Sequence, residues 1–105
     1  MIRILKNCQK EIAEFPEQVR EELAEAMIRL DKGHLLQFPL SRPMPVINKG
    51  VHELRFRDRA GIYRVIYVLI ENENICFLHA FTKKTQGTAK KNIDLAKRRL
   101  KEALA

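Results

Sequence analysis

Cysteine is scarce: the 105 residues hold two, Cys8 and Cys76, in neither a CxxC motif nor a Cys/His cluster. Both lie in apolar-patterned segments, which points to buried free thiols in a reducing compartment. Glycine and proline number four each against a hydrophobic fraction of 46%, which argues for a folded globule and against a disordered tail. There is no Gly-rich phosphate loop, Ser-His-Asp set or HExxH. The histidines His34, His52 and His79 stand apart, without Cys or Asp at ligand spacing, so neither a metal nor a cofactor is expected. No apolar stretch reaches transmembrane length; the longest candidate, Ile62–Ile70, is broken by Arg64. The opening MIRILKNCQKEI lacks the apolar core and cleavage site of a signal peptide, so a cytoplasmic protein with no membrane partner is expected. There is no repeat, linker or low-complexity segment, and the length suits a single domain, 1–105.

What the chain has is positive charge, unevenly placed. Net charge is +7. Residues 1–32 carry 6 Lys/Arg against 7 acids, residues 33–81 carry 6 against 4, and residues 82–105 carry 8 against 2. Cationic excess gathered toward one end favours a polyanionic partner, nucleic acid or an acidic protein, without choosing between them.

The pattern predicts a short strand at Ile2–Lys6, then a helical turn Cys8–Glu14 capped by Asn7. A longer helix follows at Pro16–Lys32, with Pro at its first turn and Gly33 ending it. Its apolar stripe is Val19, Leu23, Ala26, Met27 and Leu30. Residues 34–50 read as an irregular connection with Pro39, Pro43 and Pro45, a short extended piece at Val46–Ile47 and a turn at Asn48-Lys49-Gly50. Three strands are expected at Val51–Arg57, Ile62–Ile70 and Asn74–Phe81, joined as antiparallel hairpins through Asp58–Gly61 and Glu71–Glu73. A last helix, Ala89–Leu104, is capped by Thr88 and striped by Ile93, Ala96, Leu100 and Ala103/Leu104. The fold class expected is α+β: a mainly antiparallel sheet with helices packed on one face, in the order β-α-α-β-β-β-α. The other face is left free for a ligand.

Strand alternation puts Glu53, Arg55 and Arg57 on one face and His52, Leu54 and Phe56 on the other. The first set suits the open face. The next strand is apolar on both sides, hence central, and Arg64 is its anomaly, because a charge there is costly unless paired or used. Two readings stand side by side. One is a structural ion pair of Glu53 with Arg64 or Arg55. The other is a phosphate clamp in which Glu53 orients an arginine and Lys83 and Lys84 add charge; arginine grips phosphate with a planar fork and lysine as a point charge. Lys83, Lys84 and Gln86 precede a helix start, where backbone N–H groups add positive potential. His52 falls on the core side, His79 faces either way, and His34 is a surface residue. The run Lys90, Lys91, Lys97, Arg98, Arg99 and Lys101 reads mostly as a solvated helix face that could also meet RNA or an acidic partner.

HELRFRDRAGIYRVIYVL followed by FLHAFTKKTQGTAKKNIDLAKRRL, together with the early FPEQVREELAEAMIRLDKG helix, resembles the HigB-like, phage-derived branch of the RelE/ParE toxin superfamily. The resemblance covers nearly the whole chain and implies the toxin of a type II toxin–antitoxin module. Many such proteins are ribosome-dependent endoribonucleases that cut mRNA in the decoding site. Their partner is a small antitoxin, in this branch usually a helix-turn-helix DNA-binding protein, in a toxin–antitoxin hetero-oligomer. Carried over residue by residue, Arg64 falls where the family places a catalytic arginine, and Arg55 where a strand residue contacts RNA. Lys83 and Lys84 fall where a basic residue ends the last strand, so the resemblance implies Arg64, Arg55 and Lys84 as catalytic. Lys83, Glu53, Arg57, Lys90 and Lys91 are expected to bind RNA. The chain departs from the pattern at Gln86–Lys91, which lacks the Tyr or His that several ribonuclease members carry near the chain end. The proton-transfer group is therefore undefined. A non-catalytic inhibitor of DNA gyrase and a plain nucleic-acid-binding module are the alternatives.

Overall fold

A computed structural model describes residues 1–71, 74–83 and 87–105. The elements are β1 (Ile2–Ile4), α1 (Lys6–Ala13), α2 (Glu17–Asp31), β2 (Ser41–Pro43), β3 (Val51–Arg57), β4 (Ile62–Ile70), β5 (Asn74–Lys83) and α3 (Lys90–Leu104). They form an α+β domain around one five-stranded sheet of order β1-β5-β4-β3-β2. Only β1 runs parallel to its neighbour, and every other pair is antiparallel. As its apolar pattern required, β4 is interior, flanked by β3 and β5.

The local chemistry explains the boundaries. Gly33 takes φ +89° just past α2. There the Gly33 N–H reaches the Leu30 carbonyl and the His34 N–H reaches the Arg29 carbonyl, a Schellman ending that a residue with a Cβ rarely adopts. Gly50 sits at φ +83°, its carbonyl accepting from the Leu69 N–H, and so turns the chain into β3. Val19, Leu23, Ala26 and Leu30 are the buried stripe of α2, while Ala96, Leu100 and Ala103 are that of α3. Both thiols are free and buried. Burial, then the nearby Glu11 carboxylate, pushes Cys8 up to about 12, which suits an inert packing role.

Several boundaries differ from expectation. The first strand ends at Ile4 and α1 begins at Lys6, so Leu5 rather than Asn7 stands at the cap position. The connection expected to be irregular contains β2, which pairs with β3 through Ser41↔Leu54, Arg42↔Glu53 and Pro43↔His52. A three-residue edge strand has too little periodicity to show in the sequence. Val46–Ile47 belongs to a turn. The last strand runs to Lys83 rather than Phe81. Thr88 does not cap α3: Ala89 holds that position, without a side-chain bond, and Thr88 is engaged elsewhere.

The two sheet faces are covered differently. Phe15, between α1 and α2, meets Tyr63 edge-on with ring centroids 5.2 Å apart. Tyr67 stacks on Phe77 and His52 and shares a buried 2.7 Å hydrogen bond with Ser41. This is the Leu54–Val65 face. On the opposite face, α3 meets β5 through Asn92 and His79, and the β3–β4 half carries the charged residues.

Candidate functional site: a cationic sheet face

Register builds the site in rows across the sheet. Arg42, Glu53, Ile66 and His79 pair in succession, then Arg55, Arg64 and Phe81, then Arg57, Ile62 and Lys83. Directly paired residues share a face, so Arg42, Arg55, Arg57, Arg64 and Lys83 lie on one face with a single carboxylate, Glu53, which Arg42 and Arg64 approach most closely. The acid is fully buried at 0% exposure, Arg64 is 3% exposed and Lys83 7%. The expected open face with Glu53 exposed on it is thus corrected. Glu53 lies beneath the cations and Arg57 stays exposed.

Both readings of Arg64 meet in this geometry. Its Nε lies 3.7 Å from Glu53 Oε1, and Arg42 Nε lies 3.5 Å from the same oxygen. These distances give Coulombic attraction without a hydrogen bond. Nε of Arg42, Arg55 and Arg64, and Oε1 of Glu53, are buried with no hydrogen-bond partner among the described residues. The other carboxylate oxygen is held: Thr88 Oγ1 donates to Glu53 Oε2 at 2.8 Å. Burial lowers the Arg64 pKa and Glu53 opposes this, while Arg55, Arg42 and Arg57 add to the lowering. Burial and then the Arg64 charge hold the Lys83 ammonium below the usual lysine range. Five cations against one acid leave a local positive excess, and buried donors without acceptors are costly unless an anion completes them. A cavity of about 200 Å³ opens here, lined by Pro39, Arg55, Phe56, Arg57, Ile62 and Arg64.

Not every candidate joins the cluster. Lys90 pairs with Asp94 at 2.9 Å on the exposed side of α3, and Lys91 is exposed in the same turn. Lys84 and Gln86 lie outside the described residues. His52 is on the opposite face, stacked on Tyr67 at 5.6 Å, where burial lowers its pKa. His79 shares the site's face but is engaged at both ring nitrogens: Nδ1 is 3.0 Å from Glu11 Oε1 and Nε2 is 2.8 Å from Asn92 Oδ1. Arg99, expected on a solvated face, is turned inward at 12% exposure. It grips Glu11 with both terminal nitrogens, at 2.7 and 3.0 Å. Its Nη1 also donates to the carbonyl of Leu78, the extra residue at the register shift opposite Ile66/Tyr67. Among the described residues no group of three or more His, Cys, Asp or Glu is placed to hold a metal ion.

Sequence reasoning missed Arg42, Thr88 and Phe38. Arg42 had one available signal, a basic residue flanked by Ser41 and Pro43 that an edge strand could carry. Phe38 lies with its ring 5.5 Å from the Arg55 guanidinium.

The five-stranded α+β fold is similar to that of solved RelE toxins. The fold matches that of the isolated E. coli RelE toxin with a TM-score of 0.57 at 17% identity, covering 93% of this chain and 96% of that one. An arginine-to-alanine mutant of E. coli RelE in the free state matches with a TM-score of 0.51 at 15% identity, over 97% of this chain and 95% of that one. The chain itself belongs to the phage-derived Gp49-like protein family (DUF891), whose model matches residues 10–101. A comparison with curated proteins finds no match.

Proposed function

We propose that this protein is the toxin of a type II toxin–antitoxin module and acts as an endoribonuclease on mRNA held at the ribosome. The observation that carries the reading is the cluster of Arg42, Arg55, Arg57, Arg64 and Lys83 about Glu53, with buried Nε atoms that lack acceptors among the described residues. In the proposed reaction the RNA 2′-OH attacks the adjacent phosphorus. The bond to the 5′-oxygen breaks, a cyclic phosphate forms, the 2′-OH proton passes to solvent water, and the leaving oxygen takes a proton. Arg64 and Arg55 stabilise the charge on the pentavalent phosphorus, the largest contribution in such sites, with roughly 3 kcal/mol lost per donor removed. Glu53 sets the direction of Arg64 and Arg42. Lys83 is a better acid than an ordinary lysine because its ammonium is desolvated beside Arg64, and it or Lys84 protonates the leaving oxygen. Arg57, Lys90 and Lys91 hold flanking phosphates. A small helix-turn-helix antitoxin would cover this surface in a cytoplasmic hetero-oligomer; no described helix is long and apolar enough to cross a membrane.

Induced expression tests the reading. Arg64→Ala abolishes growth inhibition while circular dichroism stays that of the parent, and full toxicity from the variant removes Arg64 from the mechanism. Mapping transcript ends separates the classes. Codon-linked cleavage that requires translation supports the nuclease. Intact mRNA with DNA-damage signalling favours the gyrase inhibitor instead.

A further inference from the structure

Among the described residues, Phe38 is the exposed aromatic of the molecule, at 70% exposure; the other exposed large hydrophobics are aliphatic. A single exposed apolar side chain is ordinary, but this one is placed with some precision. Its neighbour Pro39 lines the cavity that also contains Arg55, Arg57 and Arg64. The loop is tied down on both sides of that point. The Arg55 N–H donates to the Leu40 carbonyl at 2.8 Å, and the Ser41 N–H donates to the Gln37 carbonyl at 3.1 Å. The backbone of Arg55 thus anchors the loop while its guanidinium lies over the Phe38 ring, 5.5 Å from the centroid. An aromatic face wedged against a cation, at the rim of a cationic cavity, has the two parts that bind a single-stranded nucleotide: charge for the phosphate and a flat π-surface for an unstacked base.

We infer that Phe38 is a stacking platform for one nucleobase of the RNA whose phosphate occupies the Arg55–Arg57–Arg64 cavity. The inference rests on the RNA reading above and adds a subsite to it. The ring and the guanidinium present a sequence-tolerant surface, since every base has a π-face. Phe38 acts by positioning: holding the base fixes the sugar, and with it the line of attack of the 2′-OH on phosphorus.

The chain contains no tryptophan, so Phe38→Trp places a single indole at the site. The probes are a 2′-O-methyl trinucleotide, which lacks the attacking hydroxyl and is not cleaved, and an abasic oligonucleotide with the same number of phosphates. The trinucleotide is expected to quench the Phe38→Trp emission and the abasic chain to leave it unchanged. Phe38→Ala is expected to lose about tenfold in affinity for the trinucleotide, with abasic affinity retained. Equal binding of the trinucleotide by Phe38→Ala and parent overturns the stacking role and assigns the exposed ring to a protein contact. Equal losses for both probes overturn it too, because the ring would then act only through Arg55. Retained trinucleotide binding in an Arg55→Ala/Arg64→Ala variant sinks the phosphate site itself, and failure of the parent to bind either probe overturns the stacking subsite, whereas the ribosome-held nuclease reading falls only if transcript ends show no cleavage.

Discussion

Two buried polar clusters share one sheet, and they are built on opposite terms. Around His79, Glu11 takes a two-point grip from Arg99 and a bond from the Ala80 N–H at 3.1 Å, and Asn92 closes the imidazole's other side. Charges there are matched and hydrogen bonds are made. Around Glu53, one acid shares its sheet face with five cations, the nearest arginine contacts are 3.5 and 3.7 Å, and Nε atoms stay unpartnered among the described residues. A satisfied network joins elements: here α1, β5 and α3. An under-satisfied, charge-unbalanced one destabilises the resting molecule and is held in place by the surrounding fold, which is what the proposed anion site would require.

Substitutions should separate the two clusters. The largest expected effect is on activity: Arg64→Ala should lower the rate of RNA cleavage on the order of 10²–10³-fold in a purified translation system. Next is stability. Arg99→Met should cost roughly 3 kcal/mol in urea unfolding, because it removes the two-point grip and the balancing charge from the half-buried Glu11 carboxylate, leaving it only the His79 and Ala80 N–H bonds, while the folded fraction keeps its cleavage rate. If Arg99→Met unfolds at the parent's urea midpoint, the His79 cluster is not a cross-link.

The acid side of the stability profile offers a smaller test. Burial raises the Glu11 pKa, but the bonds from Arg99, His79 and the Ala80 N–H outweigh it, so the folded value lies below the ordinary 4.5. A carboxylate depressed in this way contributes stability that is fully present above its unfolded pKa and is lost as pH falls through the folded pKa. Urea midpoints should therefore fall from about pH 5 downward, and Glu11→Gln should flatten that slope. The smallest effect concerns inorganic phosphate. At matched ionic strength it should raise the parent's melting temperature by a few degrees over chloride, through binding to the folded state alone. That increment should vanish in Arg55→Ala/Arg64→Ala and survive in Arg99→Met. An equal increment in every variant would place the anion elsewhere.

The sequence was most legible where periodicity is long. The stripes of α2 and α3, the three long strands and the buried thiols all follow from local pattern, as does the anomaly of Arg64 in an apolar strand. It was least legible where a residue's partner is remote. Thr88 looked like a helix cap because Thr before a helix usually is one, yet its hydroxyl is taken by Glu53, 35 residues away. Arg99 looked like one more cation on a basic helix, yet it reaches Glu11 across 88 positions. Arg42 lay in a proline-marked loop whose three paired residues give no period.

From its residues alone, the chain determined an α+β domain, a central strand with an arginine that needs a reason, and a cationic excess that favours an anionic partner. These are properties of alternation, helical spacing and net charge, which act over a few residues or over the whole chain. Only the tertiary structure decided which cations share a face with Glu53, that His79 is bound on both sides, and that the Phe38 ring lies against Arg55, next to the cavity-lining Pro39. Strand register, the extra residue Leu78 in β5 and the docking of α3 settle those neighbours. Each is a free-energy choice among long-range pairings that no local pattern encodes.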